Sequence, residues 1–373
     1  MSLKTIKIKL IQTILLILLF SFNFYLTGYT GHGLQNLSII DADDPGIQYV
    51  GRFDFSNPKR IEFDWAGVYI IAKFEGTSCS LRLEDHKNEY SVIIDDHAPE
   101  LLKTDKSTIY KVASGLQELI PHTIIIQKRT EPIFGKGAFM GFILDNGKKL
   151  LTPDKRPDRR IEFIGNSMTS GYGVEGKNHD CHFNKETENA SMSYAAITAR
   201  ALNADYSLIS YSGRGVVRNY GDKNKISGGS MPSLYNRTCF TDSTKQWDFN
   251  IWIPQAVIIN LGTNDFSTQP YPDKNVFQKA YNQLINRVRS LYPHVTIFCI
   301  SGPMIGEPCT SYIKEVIEDK QNKEKRNKDV YFIEVNRLIM NDSDWGCDWH
   351  PNIQGSSKIA DIITPVIKLI MNW

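Results

Sequence analysis

The chain lacks a charge of either sign to spare: 43 lysines and arginines stand against 41 aspartates and glutamates over 373 residues, a formal net charge of +2. Lys4, Lys7 and Lys9 lie at the extreme N-terminus, and without them the balance falls just below zero. That excludes the basic face a nucleic acid or an anionic membrane would need, so neither is expected as a partner. No phosphate-cradling glycine loop occurs, so no nucleotide cofactor is expected. Internal repeats and low-complexity tracts are also missing. With 41% hydrophobic and 11% aromatic residues, the chain is of the globular class.

Long apolar runs are scarce. One stands out, Leu10 to Leu26, directly behind the N-terminal lysines. It reads as a secretory signal over residues 1–30, which places the mature chain outside the cell or in a periplasm, with no membrane contact after cleavage. The alternative is an uncleaved N-terminal anchor, because the run is near the lower limit for a bilayer span and no clean Ala-x-Ala site follows. Cysteine is sparse too, with six in all. In an exported chain these can form disulfides. Cys181, Cys239, Cys309 and Cys347 lie in polar loops and are expected to pair, whereas Cys79 and Cys299 sit in apolar strands and are expected to stay free.

What is present divides into two textures. From about Tyr49 to Leu151 short β-rich runs are separated by turn residues: Val68 to Phe74, Cys79 to Leu83, Tyr90 to Ile94, Thr108 to Val112, His122 to Lys128 and Gly137 to Leu144. Several alternate apolar and polar residues, as half-buried antiparallel strands do. A β-sandwich of jelly-roll type over 40–150 is expected. Lys148 to Arg160, charged and carrying Pro153 and Pro157, reads as the connection to a second domain over 158–373. There apolar strands alternate with helices, so the expected fold is α/β, a parallel sheet covered on both faces. Its long helix shows one apolar face from Val276 to Leu291, with Asp273 placed to cap it.

Chemistry-bearing residues follow the strands of this second part. The strand Ile161 to Ile164 runs into Gly165-Asn166-Ser167, which displays Ser167 past the carboxyl edge of the sheet. Ser212-Gly213-Arg214-Gly215 follows the next strand, Gly262-Thr263-Asn264-Asp265 the one after, and Asp348-Trp349-His350 precedes the last helix. A serine hydroxyl needs a base, and His350 suits that task. Oxyanion donors are at hand in the N–H of Ser167, the N–H of Gly213 with Gly215 as fallback, and the amide of Asn264. The imidazole in turn needs an acceptor, either Asp348 or a backbone carbonyl such as that of Trp349. Tyr172, Trp345, Trp349 and Arg214 are candidate sugar contacts, with Trp349 the favoured stacking platform; core packing is the ordinary fate of such rings. His179-Asp180-Cys181-His182 lacks a complete ligand set, so no metal is assigned. Lys320 to Lys328 reads as a solvated helix end and loop.

The order Ser, Gly, Asn, His resembles that of the SGNH hydrolases over Ile161 to Trp373. Ile164-Gly165-Asn166-Ser167, Gly171-Tyr172-Gly173, Glu186-Thr187-Glu188-Asn189, Ser212-Gly213-Arg214-Gly215-Val216-Val217-Arg218-Asn219-Tyr220 and Asp348-Trp349-His350-Pro351-Asn352 are similar to carbohydrate esterase family 2. The resemblance implies an N-terminal β-sandwich joined to a flavodoxin-like hydrolase domain. It further implies an acetyl esterase on acetylated polysaccharides such as xylan and mannan, favouring the 6-position of hexoses; apart from the resemblance, no cofactor is expected and the chain is expected to be a monomer. The competing readings are an esterase or lipase on another acyl ester, such as peptidoglycan O-acetyl, and a non-catalytic carbohydrate-binding protein. Two positions depart from the pattern. Asn166 stands where an aspartate is usual, and Cys347 stands three residues before the histidine, where the superfamily has its triad aspartate. The resemblance makes a Ser–His dyad the expectation, with Asp348 below Ser167 and His350 in weight.

Overall fold

The computed structural model describes residues 37–323 and 329–373. The signal assigned to 1–30 lies outside them. Among the described residues no helix is long and apolar enough to cross a membrane.

The first part contributes eleven strands: β1 (Ser38–Asp41), β2 (Ile47–Val50), β3 (Ile61–Phe63), β4 (Tyr69–Phe74), β5 (Cys79–Glu84), β6 (Glu89–Ile94), β7 (Glu100–Lys103), β8 (Ile109–Ala113), β9 (His122–Lys128), β10 (Gly137–Leu144) and β11 (Leu150–Leu151). All pairings are antiparallel, in the orders β1-β10-β5-β8 and β11-β4-β9-β6-β7; β3 joins β10, and β2 joins β4. Burial alternates strictly along β5 and β9, because one face of each meets the opposing sheet. Pairing starts at Ser38, earlier than expected. The short or exposed β1, β2, β3, β7 and β11 were not foreseen, since two to four residues carry little periodicity.

The second part holds one parallel sheet of β12 (Arg159–Gly165), β13 (Ala204–Ser210), β14 (Ala256–Ile259), β15 (Thr296–Ser301) and β16 (Val330–Glu334), in the order β13-β12-β14-β15-β16. Its helices are the single turn α1 (Ser167–Ser170), α2 (Tyr194–Ala201), the short α3 (Met231–Leu234), α4 (Lys274–Leu291), α5 (Cys309–Lys323) and α6 (Ile353–Met371). One face of the sheet is covered by α2 and α6, whose Tyr194, Ala195, Ile359 and Ile363 share a core with Phe163 and Ile258. On the other, α4 and α5 bring Phe277, Tyr281 and Ile313 against Ile164 and Ile259. Strand order reverses between β12 and β14, and open sheets of this kind keep their sites at that switch point, beyond the strand C-termini. Asp273 flanks α4 but makes no side-chain cap; it pairs instead with Lys225 at 3.0 Å. Val276, expected on the apolar face, is exposed, and Lys320, expected in solvent, is buried with its Nζ on Asn286 at 2.5 Å.

The two parts are stitched together rather than merely linked. Only residues 152–158 separate β11 from β12, and within them Arg156 pairs with Asp205, which also accepts the Tyr69 hydroxyl at 2.8 Å. Buried Arg52 meets Glu162 at 3.2 Å, Trp65 Nε1 donates to the Thr238 carbonyl at 2.9 Å, and the Asp64 carboxylate accepts the N–H groups of Phe240 and Thr241. Buried groups paired across the boundary in this way fix the relative orientation of the two parts.

Candidate active site

At the end of β12 the chain turns sharply. Asn166 caps α1 by accepting the Met168 N–H at 3.2 Å, and Gly171 ends it at φ 77°, a conformation glycine adopts without strain. Ser167 is thereby the first residue of the helical turn, and its N–H has no intrahelical acceptor. Its Oγ lies 2.8 Å from His350 Nε2.

His350 arrives on β18 (His350–Pro351), which pairs with β17 (Trp345–Gly346) across the turn Cys347–Trp349. Its Nδ1 faces two backbone carbonyls, Asp348 at 3.0 Å and Cys347 at 3.3 Å. Two acceptors require a proton on Nδ1, so Nε2 is left with its lone pair toward the serine hydroxyl. Burial holds the imidazole down to a pKa of about 4, and it is neutral at pH 7. The Asp348 carboxylate is not on His350. Asp348 and Trp349 both take left-handed backbone conformations (φ 53° and 60°), so the segment is not extended and the acid points away. Its Oδ1 meets His182 Nδ1 at 2.9 Å, while Oδ2 accepts the Tyr172 hydroxyl at 2.8 Å and the Phe183 N–H at 2.9 Å. Although burial opposes it, these donors hold the carboxyl below its ordinary range. The bridge Cys181–Cys347 and the Asp348 N–H on the Cys181 carbonyl at 2.8 Å lock the same turn.

Across the cavity, Gly213 lies at φ 76°, and its N–H meets no acceptor among the described residues. Asn264 spends one amide hydrogen on the Arg214 carbonyl at 2.9 Å and keeps the other. Gly215 does not serve as a fallback: its N–H is given to Asn219 Oδ1 at 3.3 Å, and a Cβ there would stand 2.0 Å from the Arg218 carbonyl oxygen. The cavity measures about 660 Å³, and Ser167, Tyr172, Gly213, Asn264 and His350 line it together with Tyr220, Phe266 and Met304.

Residues 49–153 match the family model described as Carbohydrate esterase 2 N-terminal, and residues 163–358 match the GDSL-like Lipase/Acylhydrolase family. The chain belongs to carbohydrate esterase family 2. It is 40% identical over 342 residues to the cellulase/esterase CelE of Acetivibrio thermocellus, covering 89% of this chain and 40% of that much longer protein. With an acetylxylan esterase / glucomannan deacetylase of Cellvibrio japonicus identity is 28% over 83% of this chain and 85% of the other. A family two carbohydrate esterase from Clostridium thermocellum, solved in complex with cellohexaose, superposes with a TM-score of 0.80 at 39% identity, covering 88% of this chain and all of that one. The protein is thus a carbohydrate esterase, a carboxylic ester hydrolase of the GDSL class.

In this family 2 esterase not every expected contact reaches the cavity. Tyr172 does, with its ring 4.2 Å from that of His350. Trp345 is buried beneath Arg337 and is closed to ligand. Trp349 is 44% exposed outside the cavity lining, stacked on His179 at 3.8 Å. Arg214 turns to the Gly229 carbonyl and the Tyr211 ring. Tyr220, an aromatic close to the site in sequence, lines the cavity and is 71% exposed. Of the expected bridges only Cys181–Cys347 forms; Cys239 and Cys309 are free, each buried in the core as a small apolar group, as are Cys79 and Cys299. Also missed was Asp265, whose carboxylate accepts the N–H groups of Val216, Val217 and Arg218 and so holds the Gly213–Tyr220 loop; burial lifts its pKa to about 6. Its place directly after Asn264 was the available signal.

Proposed function

We propose that the protein is a secreted acetyl esterase of polysaccharides that works through a Ser167–His350 dyad. The observation that carries this is the 2.8 Å contact between His350 Nε2 and Ser167 Oγ, with Nδ1 anchored on backbone carbonyls. Ser167 Oγ attacks the acetyl carbonyl carbon and passes its proton to Nε2. The resulting oxyanion sits on the N–H groups of Ser167 and Gly213 and on the free amide hydrogen of Asn264. Collapse breaks the ester bond, and the departing sugar oxygen takes the proton back from Nε2. Water, deprotonated by the same nitrogen, then releases acetate from Ser167.

The substrate class is supported by the relatives named acetylxylan esterase / glucomannan deacetylase, and export by the apolar run behind the N-terminal lysines. Tyr220 and Tyr172 at the cavity, with Trp349 beyond its rim, are the rings offered to a sugar. The test is acetate release from acetylated mannan, acetylated xylan and an aryl acetate, wild type beside Ser167→Ala. Release by wild type alone is the expected result. No release from any substrate overturns the reading in favour of carbohydrate binding without turnover, which the cellohexaose-bound relative would then favour.

A further inference from the structure

The loop that carries Gly213 is gripped from two sides. Asp265 holds its far end, through residues 216–218. The near end is held from the other half of the molecule. Glu131, three residues past β9, is buried, and its Oε2 accepts the N–H of Ser212 at 2.7 Å. The same strand end is pinned to the hydrolase part at two further points: Glu131 N–H donates to Glu188 Oε1 at 3.1 Å, and the Arg129 carbonyl accepts the Ala190 N–H at 3.0 Å. Ser212 and Gly213 both line the cavity. The Ser212 N–H lies in the Tyr211–Ser212 peptide plane, which shares the Ser212 Cα with the plane that carries the Gly213 N–H, so a buried carboxylate on the first restrains the base from which the Gly213 N–H is aimed.

We infer that Glu131 is a positioning residue for catalysis: the β-sandwich contributes through it the group that aims the Gly213 N–H at the developing oxyanion. The sandwich is then part of the active site and not an appended module. A carboxylate in this place is costly, and burial pushes the Glu131 pKa up, with Lys128 and Arg214 nearby acting against the rise. A group retained at such cost while spending an oxygen on one backbone N–H fits an orienting task better than a stabilising one. The inference rests on the esterase reading, and its test has an arm that does not.

The full-length protein is compared as wild type, Glu131→Ala and Glu131→Gln. On an aryl acetate, Glu131→Ala is expected to lose roughly 30- to 100-fold in kcat with KM within about twofold, because a misaimed donor weakens the transition state alone. Glu131→Gln keeps an acceptor oxygen and is expected within about fivefold of wild type. Hydrogen exchange read by mass spectrometry on peptides containing Ser212 and Gly213 should quicken about tenfold or more in Glu131→Ala and not in Glu131→Gln. Wild-type kcat in a folded Glu131→Ala, equal impairment of the two variants, or unchanged exchange each overturns the inference. Should Glu131→Ala not fold, Glu131→Asp, which withdraws the carboxylate by one methylene, must show the kcat loss and the faster exchange at a near-normal melting temperature, or the inference fails. If the wild type hydrolyses nothing, the esterase reading falls, and the exchange arm still decides whether Glu131 holds this loop.

Discussion

The turn that presents Ser167 and the turn that presents His350 face each other across 2.8 Å and are built by opposite means. The serine turn is local: a strand end, an Asn166 cap, one helical turn and a left-handed Gly171, all within seven residues. The histidine turn is held from afar. Its left-handed Asp348 and Trp349 each cost about 1–3 kcal/mol and persist only because the surroundings over-determine them. Those surroundings are Cys181, His182 and Phe183 on one loop and Tyr172 on another. A nucleophile needs display, which a short helix provides. On the proposed dyad, a base without an acid partner needs an exact backbone, which takes a clamp.

The comparison can be broken or sharpened by experiment. Ser167→Ala removes the proposed nucleophile and should lower kcat/KM at least about ten-thousandfold on an aryl acetate. Loss of the bridge by Cys181→Ser with Cys347→Ser should cost about 2–4 kcal/mol in denaturant unfolding and near a hundredfold in kcat, because the carbonyls on His350 Nδ1 drift. Full activity in that variant would mean the clamp is redundant.

Asp348→Ala should cost about ten- to a hundredfold in kcat, whereas Asp348→Asn, able to re-form bonds to Tyr172, His182 and Phe183, should stay within about tenfold. A loss near ten-thousandfold in Asp348→Asn would instead make it a full triad member. The pH profile of kcat/KM should hold level down to pH 5 and fall about tenfold per unit only below the His350 pKa of about 4. The imidazole pKa is lowered in the fold, so between about 6.5 and 4 the unfolded chain takes up the proton first and stability falls with pH across that window. An acid limb near 6.5 would show that the imidazole is solvated in the free enzyme. The smallest effect belongs to the local turn: Asn166→Ala should cost about 1 kcal/mol through loss of the cap.

What the chain's own order determined is the α/β architecture and the set of residues able to meet. Ile161 to Ile164, Tyr206 to Ser210 and Ala256 to Leu261 read as buried parallel strands because each is a near-continuous apolar run, and such a sheet sends all its C-terminal loops to one edge. Ser167, Gly213, Asn264 and His350 are therefore legible as one group from the order of these loops. Tertiary structure alone decided which acceptor orients His350, that Cys181 finds Cys347 at 166 residues' separation while Cys239 and Cys309 stay apart, that Gly215 gives its N–H to Asn219, and that Trp345 is sealed in the core. The reason is physical. Periodicity and capping are set by neighbours a few residues away, whereas the direction of a carboxylate, the partner of a thiol and the aim of a backbone N–H depend on which distant loop packs against them.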